Sequence, residues 1–153
     1  MRPLLEREGW TYHDHSEKLT GIKWNEETLV ALRDPVDRFV SLYSLMVNSG
    51  NHAIPTVRDF IDDQDKFMMD VGFDRWGYLY RPQVVWVVSD EYLSERETTV
   101  IRFRFLREDA MDKVGIELPD VAPRFQKVEV TDDERVALKR IYQEDYERLG
   151  SLF

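Results

Sequence analysis

Short apolar runs bounded by polar residues predict three strands in this chain. TLVAL (28–32) lies between charged segments, which is typical of a fully buried strand. VVWVV (84–88) is rich in β-branched residues, and TTVIRFRFL (98–106) alternates apolar and polar positions. We therefore expect three strands separated by longer segments of a different period.

Helical spacing governs the apolar positions of those intervening segments. Asp34 and Pro35 predict a helix start, because aspartate caps helices and proline suits the first turn, and NSGNHAIP (48–55) predicts its end. Residues 56–70 predict a second helix and residues 107–116 a third. The apolar face of the first helix consists of Phe39, Val40, Tyr43, Met46 and Val47.

The C-terminal segment shows the clearest helix signal. Thr131 and Glu134 have capping-box spacing, and Gly150 is placed to terminate the helix that follows. Its apolar face consists of Leu138, Ile141, Tyr142 and Leu149. Strands that alternate with helices predict one α/β domain over residues 1–153, with a mainly parallel sheet flanked by helices.

Composition and charge narrow the classes of function. The 153 residues include no cysteine, which excludes disulfides, thiol nucleophiles and cysteine-ligated metals. A net charge of −9 argues against binding to nucleic acid or to anionic membranes, and no apolar run is long enough to span a bilayer. The charged start, MRPLLEREGW, is unlike a signal peptide, so a cytoplasmic protein is expected.

Candidate chemistry begins where the first strand ends. Arg33 follows that strand directly, and Ser41 lies about two helical turns further along the chain. Ligands of α/β sheets bind beyond the carboxyl ends of strands, and the N–H groups of a helix start favour anions. An arginine and a hydroxyl suit a phosphate. Alternatively, Arg33 forms a salt bridge with Asp37 and Ser41 is an ordinary surface serine; the spacing leaves both readings open.

The stretch from Arg33 to Tyr43, RDPVDRFVSLY, resembles the motif with which sulfotransferases hold the 3′-phosphate of their donor, 3′-phosphoadenosine 5′-phosphosulfate (PAPS). The resemblance implies a P-loop-NTPase-like sulfotransferase fold. It further implies that Arg33 and Ser41 hold the 3′-phosphate of PAPS or of its product, adenosine 3′,5′-bisphosphate (PAP). Arg38 is a third candidate for cofactor binding, with a structural ion pair as the equal alternative.

YHDH (12–15) resembles the Tyr-His-x-His segment of the uronyl 2-O-sulfotransferases. The resemblance implies that His15 is the catalytic base and that His13 supports it or contacts substrate. An imidazole near its ordinary pKa of about 6.5 is suited to taking a hydroxyl proton. The alternatives are two exposed histidines in a polar loop, or a metal pair for which no supporting ligands are apparent. No metal is expected.

Three further stretches resemble segments of the wider membrane-associated sulfotransferase group. They are YRPQVVWV (80–87), VIRFRFLREDAMDKVGI (100–116) and IYQEDYERLG (141–150). They occur in family order, although the tyrosines and leucines of the last stretch are expected in the core. The implied activity is transfer of the sulfuryl group of PAPS to a hydroxyl of a carbohydrate or small-molecule acceptor, a sugar above all.

One element of the family is absent from the sequence. No Pro-Lys-x-Gly type of loop, which cradles the 5′-phosphosulfate in sulfotransferases, occurs in residues 1–153. The chain is therefore expected to lack the first strand–loop–helix unit. It is then a fragment of a longer protein, receives the loop from another chain, or is an inactive relative that binds nucleotide or serves in assembly. A missing central strand would expose apolar surface, which predicts a homo-oligomer or a partner chain.

Overall fold

The computed structural model describes residues 28–50, 52–69, 77–84, 98–119 and 126–153. The chain divides into two compact units. The first unit comprises residues 1–33, 85–121 and 152–153, and the second comprises residues 34–84 and 122–151. The described parts are mixed α/β, mostly helical, with a small two-stranded sheet. The α/β class is thus confirmed, whereas the single domain over residues 1–153 stays a prediction.

Two parallel strands organise the first unit. Strand β1 (Thr28–Leu32) pairs in parallel with β2 (Thr98–Arg102), and Leu32 lies opposite Arg102 in the register. Leu32 and Ile101 are each 1% exposed, so the apolar run of β1 is buried as its pattern predicts. The predictions of a strand at 28–32 and of parallel pairing are confirmed for this pair.

Strand β2 ends earlier than its alternation predicts. The alternation predicts a strand to residue 106, but Phe103–Phe105 form a 3₁₀ turn and a helix begins at Leu106. The carboxylate of Asp109 explains the early end, because it accepts the backbone N–H of Arg102 at 2.8 Å. It also accepts the Arg102 guanidinium at 3.0 and 2.7 Å, so the strand terminus is held by a side chain.

Helix α4 (Leu106–Val114) confirms the predicted third helix, although its bounds differ by a residue or two. It ends at Gly115, whose φ of 67° is the left-handed conformation that glycine tolerates best. Lys113 in its last turn donates to the carbonyl of Val100 in β2 at 2.6 Å. The helix is therefore fastened to β2 at both ends, by Asp109 and by Lys113.

The second unit is helical in its described part. Helix α1 (Pro35–Asn48) begins where the sequence predicts, since the Asp34 carboxylate accepts the N–H of Asp37 at 3.0 Å and Pro35 occupies the first position. Its predicted apolar face is confirmed: Phe39, Val40, Tyr43 and Met46 are buried and Val47 is half-buried.

The predicted second helix is two short helices. Helix α2 (Val57–Asp62) starts at Thr56, whose hydroxyl accepts the N–H of Asp59 at 3.0 Å, and α3 (Gln64–Met69) follows. Asp63 separates them with φ −142° and ψ 53°. Several aspartates close together disfavour one continuous helix, because aspartate is a weak helix former and like charges repel.

The predicted C-terminal helix is also divided. Helix α5 (Asp132–Ile141) begins with the predicted capping box between Thr131 and Glu134, which is confirmed in both directions. Tyr142 leaves the helical geometry, and α6 (Gln143–Leu149) continues the chain. Gly150 follows α6 but has φ −58°, so the helix ends there without a left-handed glycine.

Aromatic rings from three segments form the centre of the second unit. The Phe39 ring lies 4.6 Å from that of Phe60 and 5.6 Å from that of Tyr80, and Phe60 and Tyr80 are also 5.6 Å apart. Leu138 and Tyr142 pack against the same cluster and are fully buried. The apolar faces of α1, α2 and α5 therefore share one core.

Two predicted segments fall outside the described residues in whole or in large part. Residues 1–27, with the extended piece expected around YHDH, are not described, and of the predicted strand at 84–88 only Val84 is, which is buried and not in a strand. None of the described helices has the length and apolar character needed to cross a bilayer.

We expect Asp109→Asn to lower the free energy of unfolding at neutral pH by about 1.5–3 kcal/mol, because hydrogen bonds to a charged group are lost. The contacts with Arg102 hold the pKa of Asp109 well below its ordinary value. The contribution is therefore present above about pH 4 and is lost as the pH falls toward the lowered pKa of the folded state. Urea unfolding of parent and variant at several pH values measures the difference.

The exposed Asp112 on the same helix supplies the matched control, Asp112→Asn. An equal loss of stability in Asp112→Asn would contradict the stabilising role of Asp109. So would a difference in the free energy of unfolding between Asp109→Asn and parent that stays constant from pH 7 to pH 3.

Candidate functional site

The predicted catalytic histidines, His13 and His15, lie outside the described residues. Their roles as supporting residue and base therefore stay predictions. His52, the third histidine, is exposed on the segment between α1 and α2.

Arg33 leaves the end of β1 and stacks on an aromatic ring. Its guanidinium carbon lies 4.4 Å from the centre of the Phe103 ring. The register explains this contact, because Leu32 lies opposite Arg102 and the next residue of each strand is Arg33 and Phe103. Arg33 thus stands at the carboxyl edge of the strand pair, as the sequence predicts.

Ser41 lies in α1 and is half-buried. Within the described part of the chain, its hydroxyl makes no hydrogen bond. The nearby Ser44 differs in every respect: it is fully buried, donates to the carbonyl of Val40 at 2.6 Å and accepts the N–H of Val128 at 2.8 Å. Ser44 is therefore structural, whereas the Ser41 hydroxyl has no partner among the described residues and its binding role stays a prediction.

Arg33 belongs to the first unit and Ser41 to the second. Their joint contact with one phosphate stays a prediction. The alternative interpretation pairs Arg33 with Asp37. In the structure, the Asp37 carboxylate lies 3.8 Å from the guanidinium of Arg135.

Protein groups occupy the start of α1. The Tyr146 hydroxyl donates to Asp34 at 2.9 Å and accepts the N–H of Val36, while Asp34 accepts the N–H of Asp37. Burial and the adjacent Asp34 carboxylate raise the pKa of Tyr146. The sequence-based idea that these N–H groups favour an anion needs correction, because two of them already have protein partners. A phosphate would depend on side chains.

Arg38 points toward the interior of the second unit. Its guanidinium donates to the carbonyl of Arg81, and its buried Nε makes no hydrogen bond to the described residues. Burial lowers the pKa of Arg38, and the nearby Tyr142 and Asp145 partly oppose that effect. These contacts favour the structural alternative for Arg38 over cofactor binding.

A buried carboxylate lies beside Arg38. Asp145 is 0% exposed and accepts the backbone N–H groups of Gln83 and Val84, both at 2.8 Å. Burial raises the pKa of Asp145, while these hydrogen bonds and the charge of Arg38 act in the opposite direction. The Tyr142 hydroxyl donates to the carbonyl of Tyr80 at 2.7 Å. The segment 80–84 is therefore held at one end by Tyr142 and at the other by Asp145.

Three stretches that the sequence singles out therefore meet in the second unit. They are the arginine-containing helix α1, the Pro-Gln segment at 82–83 and the closing Tyr-x-x-Asp-Tyr segment at 142–146. The expected core roles of Tyr142 and Leu149 are confirmed.

Sequence reasoning missed the buried role of Asp145, although a signal exists. Asp145 lies seven residues after Leu138 and four before Leu149, which places it on the apolar face of the helix. An acidic residue on an otherwise apolar face indicates a buried hydrogen-bond acceptor.

Among the described residues, no group of three or more histidine, aspartate or glutamate side chains is arranged to hold a metal ion. The acidic side chains of α2, α3 and the residue between them face solvent: Asp59, Asp62, Asp63 and Asp65 are exposed.

We expect the two serines of α1 to respond differently to replacement by alanine. Ser44→Ala removes two buried hydrogen bonds and leaves the Val128 N–H unpaired, which should lower the free energy of unfolding by about 1–3 kcal/mol. Ser41→Ala should change it by less than about 0.5 kcal/mol, since no described contact is lost. Denaturant unfolding measures both, and equal losses would contradict the division of roles.

Comparison with protein-family models, with curated proteins and with solved structures finds no match to this chain. The inference of function therefore depends on the chemistry and placement of the residues themselves.

Proposed function

We propose that this chain is a domain of the sulfotransferase type that binds PAPS and transfers its sulfuryl group to a hydroxyl of a carbohydrate or small molecule. Arg33 and Ser41 hold the 3′-phosphate, and His15 is the base. The proposal includes the P-loop-NTPase-like sulfotransferase fold, of which the parallel pair β1–β2 is one part.

The observation that supports the proposal most is the convergence around Asp145. The stretches that resemble sulfotransferase segments lie far apart in sequence. Arg38, Gln83 and Asp145 nevertheless belong to one buried network. A shared sulfotransferase-type fold would bring these separate segments together in this way.

Local chemistry at Arg33 and Ser41 is compatible with phosphate binding. A guanidinium presents its N–H donors in one plane, which matches the oxygens of a phosphate. The Ser41 hydroxyl lies on α1 and has no described partner to give up. The two residues thus supply a charged donor and a neutral donor, without requiring the helix start that Asp34 and Tyr146 occupy.

The reaction follows from the roles assigned. The acceptor oxygen forms a bond to the sulfur as the bond from sulfur to the bridging phosphate oxygen breaks. A neutral imidazole at His15 takes the hydroxyl proton, and PAP leaves with the electron pair of the broken bond. Residues 1–153 contain no phosphosulfate loop, so the proposal assigns no group of this sequence to the leaving phosphate.

That missing loop favours a second candidate function. A catalytically inactive relative would bind nucleotide through Arg33 and Ser41, or serve in assembly, without transferring a sulfuryl group. Loss of one oxyanion-stabilising donor typically raises a barrier by about 2.7–4 kcal/mol, and a loop supplies several donors. Binding and transfer must therefore be measured separately.

We expect isothermal titration calorimetry to show binding of PAP to the parent protein. Arg33→Ala should weaken it by about 10- to 100-fold and Ser41→Ala by about 2- to 10-fold, according to the strength of charged and neutral hydrogen bonds. Adenosine 5′-monophosphate lacks the 3′-phosphate, so its affinity should not change in either variant.

Arg140 is exposed on α5, and Arg140→Ala supplies the control for loss of one positive charge. Absence of heat for the parent would reject the cofactor. An equal loss of affinity for both nucleotides would reject the assignment of Arg33 and Ser41 to the 3′-phosphate.

We expect His15→Ala to reduce the rate of sulfuryl transfer by about 100- to 10,000-fold while PAP affinity stays unchanged, because the base acts only in the chemical step. Transfer of radiolabelled sulfate from PAPS to a panel of sugar and small-molecule acceptors measures the rate. His52→Ala is the matched control. Transfer by His15→Ala at the parent rate would reject the base, and binding without transfer by the parent would favour the inactive relative.

A further inference from the structure

We infer that Phe103 is a positioning residue for Arg33, whose ring fixes the plane of the guanidinium so that its N–H edge is presented to an anion. This inference rests on the proposed function, because the anion concerned is the 3′-phosphate of the nucleotide. Phe103 is outside every motif that the resemblance uses to assign a binding role.

The strand register brings the two residues together. Leu32 and Arg102 are opposite each other in a parallel pair, so Arg33 and Phe103 leave the sheet at the same edge. The guanidinium carbon is 4.4 Å from the ring centre, well within the range of a cation–π contact.

Phe103 does little for the core. It is 42% exposed, whereas the apolar side chains on which the first unit depends, such as Leu32 and Ile101, are 1% exposed. Because Phe103 is less deeply buried than these residues, its contact with Arg33 is the interaction to test.

The position of the ring is itself fixed by its neighbours. Asp109 holds the backbone N–H and the guanidinium of Arg102, the residue before Phe103. The turn Phe103–Phe105 then leads directly into α4. The ring that contacts Arg33 is thus attached to a backbone that a buried carboxylate holds in place.

Stacking and anion binding use different parts of a guanidinium. A stacked ring contacts the face of a guanidinium, whereas the N–H donors lie in the guanidinium plane. A flexible arginine loses rotamer freedom when it binds a phosphate, and a ring that already restricts the side chain reduces that loss. A ring against Arg33 therefore restricts the side chain without itself accepting a hydrogen bond from it.

The same turn contains a matched control. The guanidinium carbon of Arg102 lies 4.6 Å from the centre of the Phe105 ring, but Arg102 is paired with Asp109 at 2.7 Å. Phe105→Leu therefore removes a similar stack from an arginine that has no assigned part in binding. Phe103→Leu removes the stack on Arg33, and Phe103→Tyr keeps an aromatic ring there.

Calorimetry with PAP tests the inference. Phe103→Leu should weaken binding by about 2- to 5-fold, the range expected of an exposed cation–π contact. Phe103→Tyr and Phe105→Leu should bind as the parent does. A ring that only supports the fold would instead give similar losses in both leucine variants.

Nuclear magnetic resonance of the Arg33 Nε–Hε group, without nucleotide, reports the contact independently. Its proton resonance should be shifted by the Phe103 ring in the parent and in Phe103→Tyr, and should return toward the ordinary position in Phe103→Leu. Parent-like affinity of Phe103→Leu would overturn the inference and leave the nucleotide site intact. If the resonance is shifted but the parent protein binds no PAP, the contact between Arg33 and Phe103 exists, but the proposed function is rejected and the positioning role is rejected with it.

Discussion

The second unit depends on a carboxylate that is withdrawn from water. Asp145 accepts the N–H groups of Gln83 and Val84 and lies beside the charge of Arg38. Burying an ionised carboxylate costs several kcal/mol unless hydrogen bonds and an opposite charge compensate, so these partners cannot move away independently. Asp145 thereby joins α6 to the loop segment at 83–84, close to the charge that Arg38 contributes from α1. The aromatic core of Phe39, Phe60 and Tyr80 lies in the same unit and also brings α1, α2 and the segment at Tyr80 together.

A second carboxylate does the same for the first unit. Asp109 takes the N–H and the guanidinium of Arg102, which ends β2 and starts the turn that leads into α4. The consequence reaches the candidate site, because the residue after Arg102 is Phe103, which stacks on Arg33. In each unit a buried aspartate lies beside a turn of the chain and close to an arginine: Asp109 pairs with Arg102, and Asp145 lies near Arg38. Arg38 is directed into the core, whereas Arg33 remains at the carboxyl edge of the strands, where ligands of α/β folds bind.

Local patterns predicted what local interactions determine. The strand at 28–32, the start of α1 at Asp34 and Pro35, and the capping box at Thr131 depend on neighbouring residues and were predicted correctly. The end of β2 depends on a hydrogen bond to Asp109, which lies seven residues after Arg102. The break between α5 and α6 occurs at Tyr142, whose hydroxyl donates to the carbonyl of Tyr80. Neither contact can be predicted from strand alternation or from helical periodicity. Likewise, the sequence singled out Arg33, Ser41 and Arg38 by spacing. Only the contacts distinguish Arg38, which is half-buried near Asp145, from Arg33, which lies against an aromatic ring at the sheet edge.

The central claim is that Arg33 and Ser41 serve one anion, the 3′-phosphate of an adenosine nucleotide. A crystal structure of the protein with PAP tests it most directly, through the distances from the phosphate oxygens to the two side chains. The account predicts a 3′-phosphate within hydrogen-bonding distance of both the Arg33 guanidinium and the Ser41 hydroxyl, with the Phe103 ring still against the guanidinium. A nucleotide bound elsewhere, or a 3′-phosphate that contacts neither side chain, would contradict it.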